Sequence, residues 1–410
     1  MAYWCPMNLW QWTPRRIYLD YAAATPVRKE VVKAMSPYLD GIYGNPGSIH
    51  AEGVKAKEAL EEARDRVGRA LRARPTDVIF TSGGTESNNL ALKGSVLSML
   101  RSGVAPRDIE ILATKIEHPS IMKTLEALEE DGVVVTYLPI DEDGRVMEAS
   151  LKQSLSPKTR LITVAYANSE TGVTQDLGRL GRIVRAYERE NGLTILFHTD
   201  AAQAPLWLPC ALDALNVDMM TLDGGKCEGP KGVGALVARP RAKLAAITFG
   251  GSQERALRPG TEPVELVVGF SVALELAQKE WQWKSNKVKE LRDRFIGELE
   301  AIPDLVLNGS REHRLPNNVN ISVSGLDTEF AVIVLDQHGI ACGTRSACSG
   351  AGGGRSHVVY EMTGDHERAS STIRFSLGPN TTWSDLKKTI KVFKRHLEQT
   401  VSFKDSLRSN

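Results

Sequence analysis

Residues 194–238 read TILFHTDAAQAPLWLPCALDALNVDMMTLDGGKCEGPKGVGALVA, and their texture decides the fold. TILFHTD (194–200), DMMTLD (218–223) and GVGALVA (232–238) are short runs rich in apolar residues. They lack the strict alternation of a strand with one wet face, so they predict strands buried on both faces. Upstream, the same kind of run recurs as DVIFT (77–81), EILAT (110–114), VVVTYLPI (133–140) and LITVAYA (161–167). Between these runs the apolar spacing changes to a helical period, over 50–71 (Val54, Leu60, Ala63, Val67, Leu71), 83–100, 118–130 and 177–190. Alternating strands and helices predict an α/β domain with a mostly parallel sheet covered on both faces.

After residue 275 the pattern differs. A long helix over about 264–299 leads to NNVNISVS (317–324), a helix at 328–338, and short strands at IACGT (340–344) and STIRFSL (371–377). A last helix is expected from Thr382, with Asp385 three residues on as its capping partner, to Gln399, followed by a frayed end. The predicted organisation is therefore an N-terminal extension and packing segment (1–28), a large domain (29–276) and a smaller α+β domain (277–410).

The chain has 410 residues, enough for a core that needs neither disulfides nor a structural metal. Lys plus Arg number 51 and Asp plus Glu 50, a balance that gives no reason to expect direct nucleic-acid or membrane binding. Five cysteines are too few, and odd in number, for a disulfide framework, and none forms a CxxC pair, so a structural metal is not expected and a reducing, cytoplasmic setting is the default. The opening MAYWCPMNLWQWTPRR places its charge last, the reverse of a signal peptide.

Ligands of open parallel sheets sit outside the carboxyl ends of the strands. Several polar residues fall there. Ser82-Gly83-Gly84-Thr85 opens a helix and can cradle a phosphate, or can be a glycine turn with a cap. Asp200 ends a buried strand and needs a partner, a helix cap or a ligand. Lys226 is surrounded by five glycines in residues 224–234, which permits close approach of a ligand and equally suits a solvated turn. His118 begins a helix after a strand. Arg374, on a short apolar strand, needs an anion from the protein or a substrate. Cys348, in TRSACSGAGGG beside Arg345, is a candidate nucleophile, whereas Cys210 and Cys342 read as buried inert thiols.

The segments IYLDYAAATP (17–26), GNPGSIH (44–50), SGGTESNN (82–89), EHPSI (117–121), ANSETGVTQD (167–176), HTDAAQA (198–204), GGKCEGPKGVGAL (224–236), RPGTEP (258–263), SAC (346–348) and IRFSLG (373–378) occur in one order over residues 17 to 395. Together they resemble the cysteine desulfurases of the class V aminotransferase family. The resemblance implies the pyridoxal 5′-phosphate (PLP) fold type I: a homodimer whose large domain holds a mostly parallel seven-stranded sheet. It implies that Lys226 carries PLP, that Asp200 pairs with the pyridine nitrogen, and that His118 stacks on the ring and shuttles protons. Asn168 and Gln203 would contact the cofactor's phenolic oxygen or its surroundings, and Gly84 and Thr85 its phosphate. Thr261 would reach the phosphate in the other subunit. Arg374 would clamp the substrate carboxylate, with Asn45 in the entrance loop. L-cysteine would become L-alanine, leaving a persulfide on Cys348. The length of the Cys348 loop resembles that of the group serving iron–sulfur assembly and tRNA thiolation, whose acceptors would be the partners. The resemblance leaves two other readings open: a non-catalytic scaffold with a degenerate phosphate site, and a related PLP lyase or aminotransferase such as a selenocysteine lyase.

Four positions depart from the family pattern. Its Ser-Gly-His-Lys is here Asp223-Gly224-Gly225-Lys226, Glu228 replaces a Tyr, and Gln253 stands where His is frequent. A carboxylate beside a phosphate dianion is repulsive, on the order of 1–4 kcal/mol. The expectation is that Asp223 turns away from the phosphate or is neutralised, leaving Gly84, Thr85 and Thr261 to hold it.

Overall fold

The computed structural model describes residues 16–344 and 354–408, with side chains through residue 399. Twelve strands occur among them: β1 (Ile17–Tyr18), β2 (Val78–Thr81), β3 (Glu110–Ala113), β4 (Val134–Tyr137), β5 (Thr159–Thr163), β6 (Leu196–Asp200), β7 (Met219–Asp223), β8 (Gly234–Ala238), β9 (Leu305–Leu307), β10 (Asn318–Val323), β11 (Ile340–Ala341) and β12 (Thr372–Ser376). Seven of them form the central sheet in the order β2-β8-β7-β6-β5-β3-β4. Only β8 runs against its neighbours. The rest are parallel, as the continuous apolar runs predicted.

Successive residues of a strand face opposite sides, so each central strand feeds two cores. Ile162, Phe197, Met220 and Val237 pack in one, with Leu60, Val67, Leu180 and Phe270 from the helices Ala51–Leu71, Leu177–Asn191 and Val264–Leu299. Leu161, Leu196, Met219 and Leu236 pack in the other, with Leu90 and Leu125 from Gly84–Arg101 and Pro119–Glu130. Truncating a fully buried side chain such as Phe197 to alanine costs about 3–5 kcal/mol. His198 lies inside the sheet between Thr163 Oγ1 (2.9 Å) and Thr221 Oγ1 (3.0 Å), and burial pushes its pKa down to about 3, so it is a neutral core residue.

The second layer of structure is the antiparallel sheet β12-β10-β9, together with the parallel pair β1–β11. The helix Val264–Leu299 runs unbroken for 36 residues, about 54 Å, straight across residue 276 where the sequence pattern suggested a domain boundary. The final helix spans Trp383–Arg408, beyond the Gln399 end expected from sequence. Its start is capped reciprocally: Thr382 N–H donates to Asp385 Oδ2 (3.0 Å) and Asp385 N–H to Thr382 Oγ1 (3.3 Å). The sheet strand expected over 161–167 ends at Thr163. The following residues leave the sheet at the carboxyl end of β5, and Ala165, Ala167, Asn168 and Ser169 line a cavity there.

Candidate active site

The carboxyl ends of β2, β3, β5, β6 and β7 converge on one cavity of about 170 Å3. It is lined by Lys226, Asp200, His118, Asn168, Gln203, Gly84, Thr85 and Arg374, so eight of the residues selected from sequence meet in one place. Asn45 does not join them. It is exposed, and its Oδ1 accepts from Gly47 N–H (2.8 Å) to hold a turn. Thr261 is exposed and absent from its own chain's cavity lining. Cys348 and Arg345 lie outside the described residues.

Lys226 follows β7 on a tight turn, and its Nζ donates to the carbonyls of Ala22 (3.0 Å) and Ala23 (2.5 Å). Those carbonyls belong to the N-terminal segment, which Gln203 Nε2 also engages through Ala22 O (3.0 Å). Asp200 is buried at the tip of β6. Its Oδ1 accepts from Ala202 N–H (2.9 Å) and its Oδ2 from Asn88 Nδ2 (2.8 Å). Asn88 Nδ2 also donates to Ser120 Oγ (2.9 Å), and Ser120 Oγ lies 2.8 Å from His118 Nδ1. His118 caps its helix, with Nδ1 accepting from Ser120 N–H (3.1 Å). With Nδ1 an acceptor, the neutral ring carries its proton on Nε2. Asn88 and Ser120 thus join Asp200 to His118. Neither was selected from sequence, although both sit inside the quoted SGGTESNN and EHPSI segments.

Arg374 is almost fully buried. It donates through Nη2 to Asp20 Oδ1 (2.8 Å) and through Nη1 to Ser169 O (2.8 Å), while its Nε has no partner. The protein therefore supplies one anion for this guanidinium and leaves its Nε without a partner. Asn168 is committed to structure on both sides of its amide: Nδ2 donates to Ile116 O (2.8 Å), and Oδ1 accepts from the N–H groups of Glu170 (2.8 Å) and Thr171 (2.9 Å).

The departures from the family pattern are accommodated as follows. Asp223 does not turn away from the helix N-terminus. Its Oδ2 accepts from Gly84 N–H (3.0 Å) and its Oδ1 from Gly225 N–H (2.8 Å). The carboxylate thereby meets two backbone donors that would otherwise need another partner. Glu228 adopts a left-handed φ of 62° and is buried, with Lys284 Nζ 2.9 Å from its Oε2. Gln253 Oε1 accepts from Gly260 N–H (3.1 Å), fixing the loop that precedes Thr261.

Glu117, beside His118, was also missed from sequence. Its Oε1 accepts from Thr114 Oγ1 (2.7 Å) and Ala165 N–H (3.1 Å), while Oε2 is buried without a partner. Burial, with Asp200 adding to it, pushes its pKa up to about 8. A carboxyl whose folded pKa lies above its unfolded value contributes stability in full below about pH 4, and that stability is lost as pH rises through the folded value. Glu117→Gln keeps the Oε1 acceptor and cannot ionise. Its urea midpoint should therefore gain on wild type between pH 5 and 8.5, by a margin worth about 2–4 kcal/mol. A difference that stays constant over that range would mean the carboxyl is ionised throughout.

The three cysteines among the described side chains are buried. Burial pushes the Cys342 thiol up to about 12, and raises the Cys210 and Cys227 thiols as well. None of the three is poised as a thiolate.

An aminotransferase class-V family profile matches residues 17–389. The cysteine desulfurase IscS of Dictyoglomus turgidum is 42% identical over 386 residues, covering 94% of this chain and 95% of the relative. The human cysteine desulfurase is 37% identical, covering 94% of this chain and 82% of the relative. Among solved structures, a NifS-like protein superimposes with a TM-score of 0.86 at 31% identity, covering 94% of this chain and 100% of that one. SspA in complex with cysteine superimposes with a TM-score of 0.75 at 32% identity, covering 89% and 100%.

Proposed function

The chain belongs to the class V aminotransferase family, and on that premise we propose that it is a PLP-dependent cysteine desulfurase that converts L-cysteine to L-alanine and passes the sulfur on as a persulfide. The observation that carries this reading is the joining of Lys226, Asp200 and His118 in one cavity, with Arg374 Nε buried and unmet beside them. The residues fit the cofactor's ring end. Lys226 would hold its aldehyde carbon, Asp200 its ring nitrogen, and His118 its face, with Gln203 and Asn168 around the ring. PLP, when bound, supplies an electron sink for the substrate's α-carbon.

The chain's own groups do the remaining work. Arg374 orients the substrate through its carboxylate, using the donor that Asp20 and Ser169 leave over. Asp200, its carboxylate fixed by Asn88 Nδ2 and Ala202 N–H, would pair with the ring nitrogen and favour its protonated form. His118, its Nδ1 pinned by Ser120, offers Nε2 for proton movement in the cavity. The Cys348 thiolate forms the S–S bond as the substrate's C–S bond breaks. The carbon gains a proton, alanine leaves, and the sulfur stays as a persulfide.

A second copy of the chain completes the reading. Tyr43, Ile49 and Phe249 are 73%, 98% and 78% exposed, near in sequence to Asn45 and Thr261, and a homodimer would cover them. Among the described residues no helix is long and apolar enough to cross a membrane. We place the protein in the cytoplasm, delivering sulfur to an iron–sulfur scaffold or a tRNA-thiolation factor.

The test is stoichiometry. Purified protein given one equivalent of L-cysteine per chain, with no other thiol, should form one alanine and one persulfide on Cys348, and added thiol should then release that sulfur as sulfide. Pyruvate and ammonia in place of alanine would overturn the assignment.

A further inference from the structure

The phosphate cradle of this chain already contains an anion. Asp223 ends β7, and its carboxylate accepts from two backbone amides at once: Gly84 N–H, at the start of the helix Gly84–Arg101, and Gly225 N–H, in the turn that presents Lys226. The backbone is shaped around that carboxylate. A Cβ on Gly83 would stand 3.2 Å from Asp223 Oδ2, one on Gly84 3.4 Å from the same atom, and one on Gly225 3.3 Å from Oδ1. The positive end of the helix and the lysine turn are thereby satisfied from within. One turn along the same helix, Asn88 lines the same cavity, and its Oδ1 is buried without a partner. Among the cavity's described residues the buried side-chain atoms left without a partner are Asn88 Oδ1 and Arg374 Nε, whereas the Gly84 and Gly225 amides are met by Asp223.

We propose that Asp223 is a resident anion of the phosphate cradle and sets cofactor selectivity, so that the ring and aldehyde, not the phosphate, dominate recognition. This rests on the PLP reading above and deepens it. An arriving phosphate dianion must displace the carboxylate from Gly84 N–H or lie beside it, and either way the phosphate gains little. Lys226, Asp200 and His118, which would hold the ring, share no hydrogen bond with Asp223 among those the structure shows. The site should therefore accept pyridoxal, the same ring without the phosphate, nearly as well as PLP.

The experiment titrates PLP and pyridoxal separately into the cofactor-free full-length chain. The readout is the borohydride-reduced adduct on Lys226, formed from amine and aldehyde with loss of water, quantified by peptide mass. Wild type should prefer PLP over pyridoxal by less than about tenfold. Asp223→Ser removes the carboxylate and should raise that preference at least about tenfold, a difference of about 1.4 kcal/mol. Asp223→Asn keeps the shape and one acceptor without the charge; it guards against misfolding of the serine variant and should also raise the preference. A wild-type preference above about tenfold, or the same preference in all three proteins with adduct present, overturns this inference alone. No adduct on Lys226 with either aldehyde in any of the three overturns the cofactor reading and this inference with it.

Discussion

Lys226→Ala should stop alanine formation from L-cysteine, with turnover falling by more than about a thousandfold, the range set by loss of a positioned acid–base group together with the amine that holds the cofactor. The rest of the site has no replacement for it. Lys231, five residues on, is exposed and does not line the cavity, although its Cγ would lie 3.3 Å from a Cβ on Gly225. Lys226 Nζ instead reaches the carbonyls of Ala22 and Ala23, on the segment that closes the cavity. Reducing the wild type with borohydride in the presence of PLP should tag one peptide, the one containing Lys226, and the variant should be untagged. A tag on Lys231 in the variant would move the assignment. Because the Lys226 side chain is not part of either core, the variant should unfold within about 1 kcal/mol of wild type, which separates a chemical loss from a folding loss.

Cys348→Ser should divide the reaction in two. The variant keeps Lys226, Asp200, His118 and Arg374, so it should bind PLP and take up L-cysteine as wild type does, with a spectral change on adding substrate. Sulfide release under reducing conditions should fall by more than about a hundredfold, since a hydroxyl is a far weaker nucleophile than a thiolate toward sulfur. The described cysteines cannot substitute, because Cys210, Cys227 and Cys342 are buried with their thiols pushed upward. Undiminished sulfide production in the variant would point to a lyase that eliminates sulfur without a protein persulfide.

The legible part of the fold was the part governed by period. Continuous apolar runs such as TILFHTD and DMMTLD gave strands within two residues of their ends, and the convergence of Lys226, Asp200 and His118 followed from their places at strand ends. The less legible residues act through partners distant in sequence. Asn88 and Ser120 read as ordinary helix polar groups, and only the packing of two helices shows that they connect Asp200 to His118. Asp20 gave no sign that it would meet Arg374. Asp223 was read by its charge alone. The two unpartnered amides that decide its orientation belong to Gly84 and Gly225, and backbone donors carry no mark in a sequence. Glu117 was overshadowed by the histidine beside it, and its unusual proton affinity comes from burial that no local pattern announces.

The seat around Arg374 has a consequence for how the protein is made. One guanidinium joins Asp20, Ser169 and its own strand, and the two charged members lie 354 residues apart. β1 likewise waits for β11, and Asp20 for Ser376. During synthesis the N-terminal segment therefore emerges long before its pairing strands exist. The central sheet, complete by residue 238, can form while Leu19 and the residues around it are still unpaired. Such an apolar segment is a natural client for a ribosome-associated chaperone until translation is nearly finished. A ribosome-bound chain stalled before residue 340 would hold a folded central sheet and still lack β11, β12 and the arginine that ties β12 to Asp20.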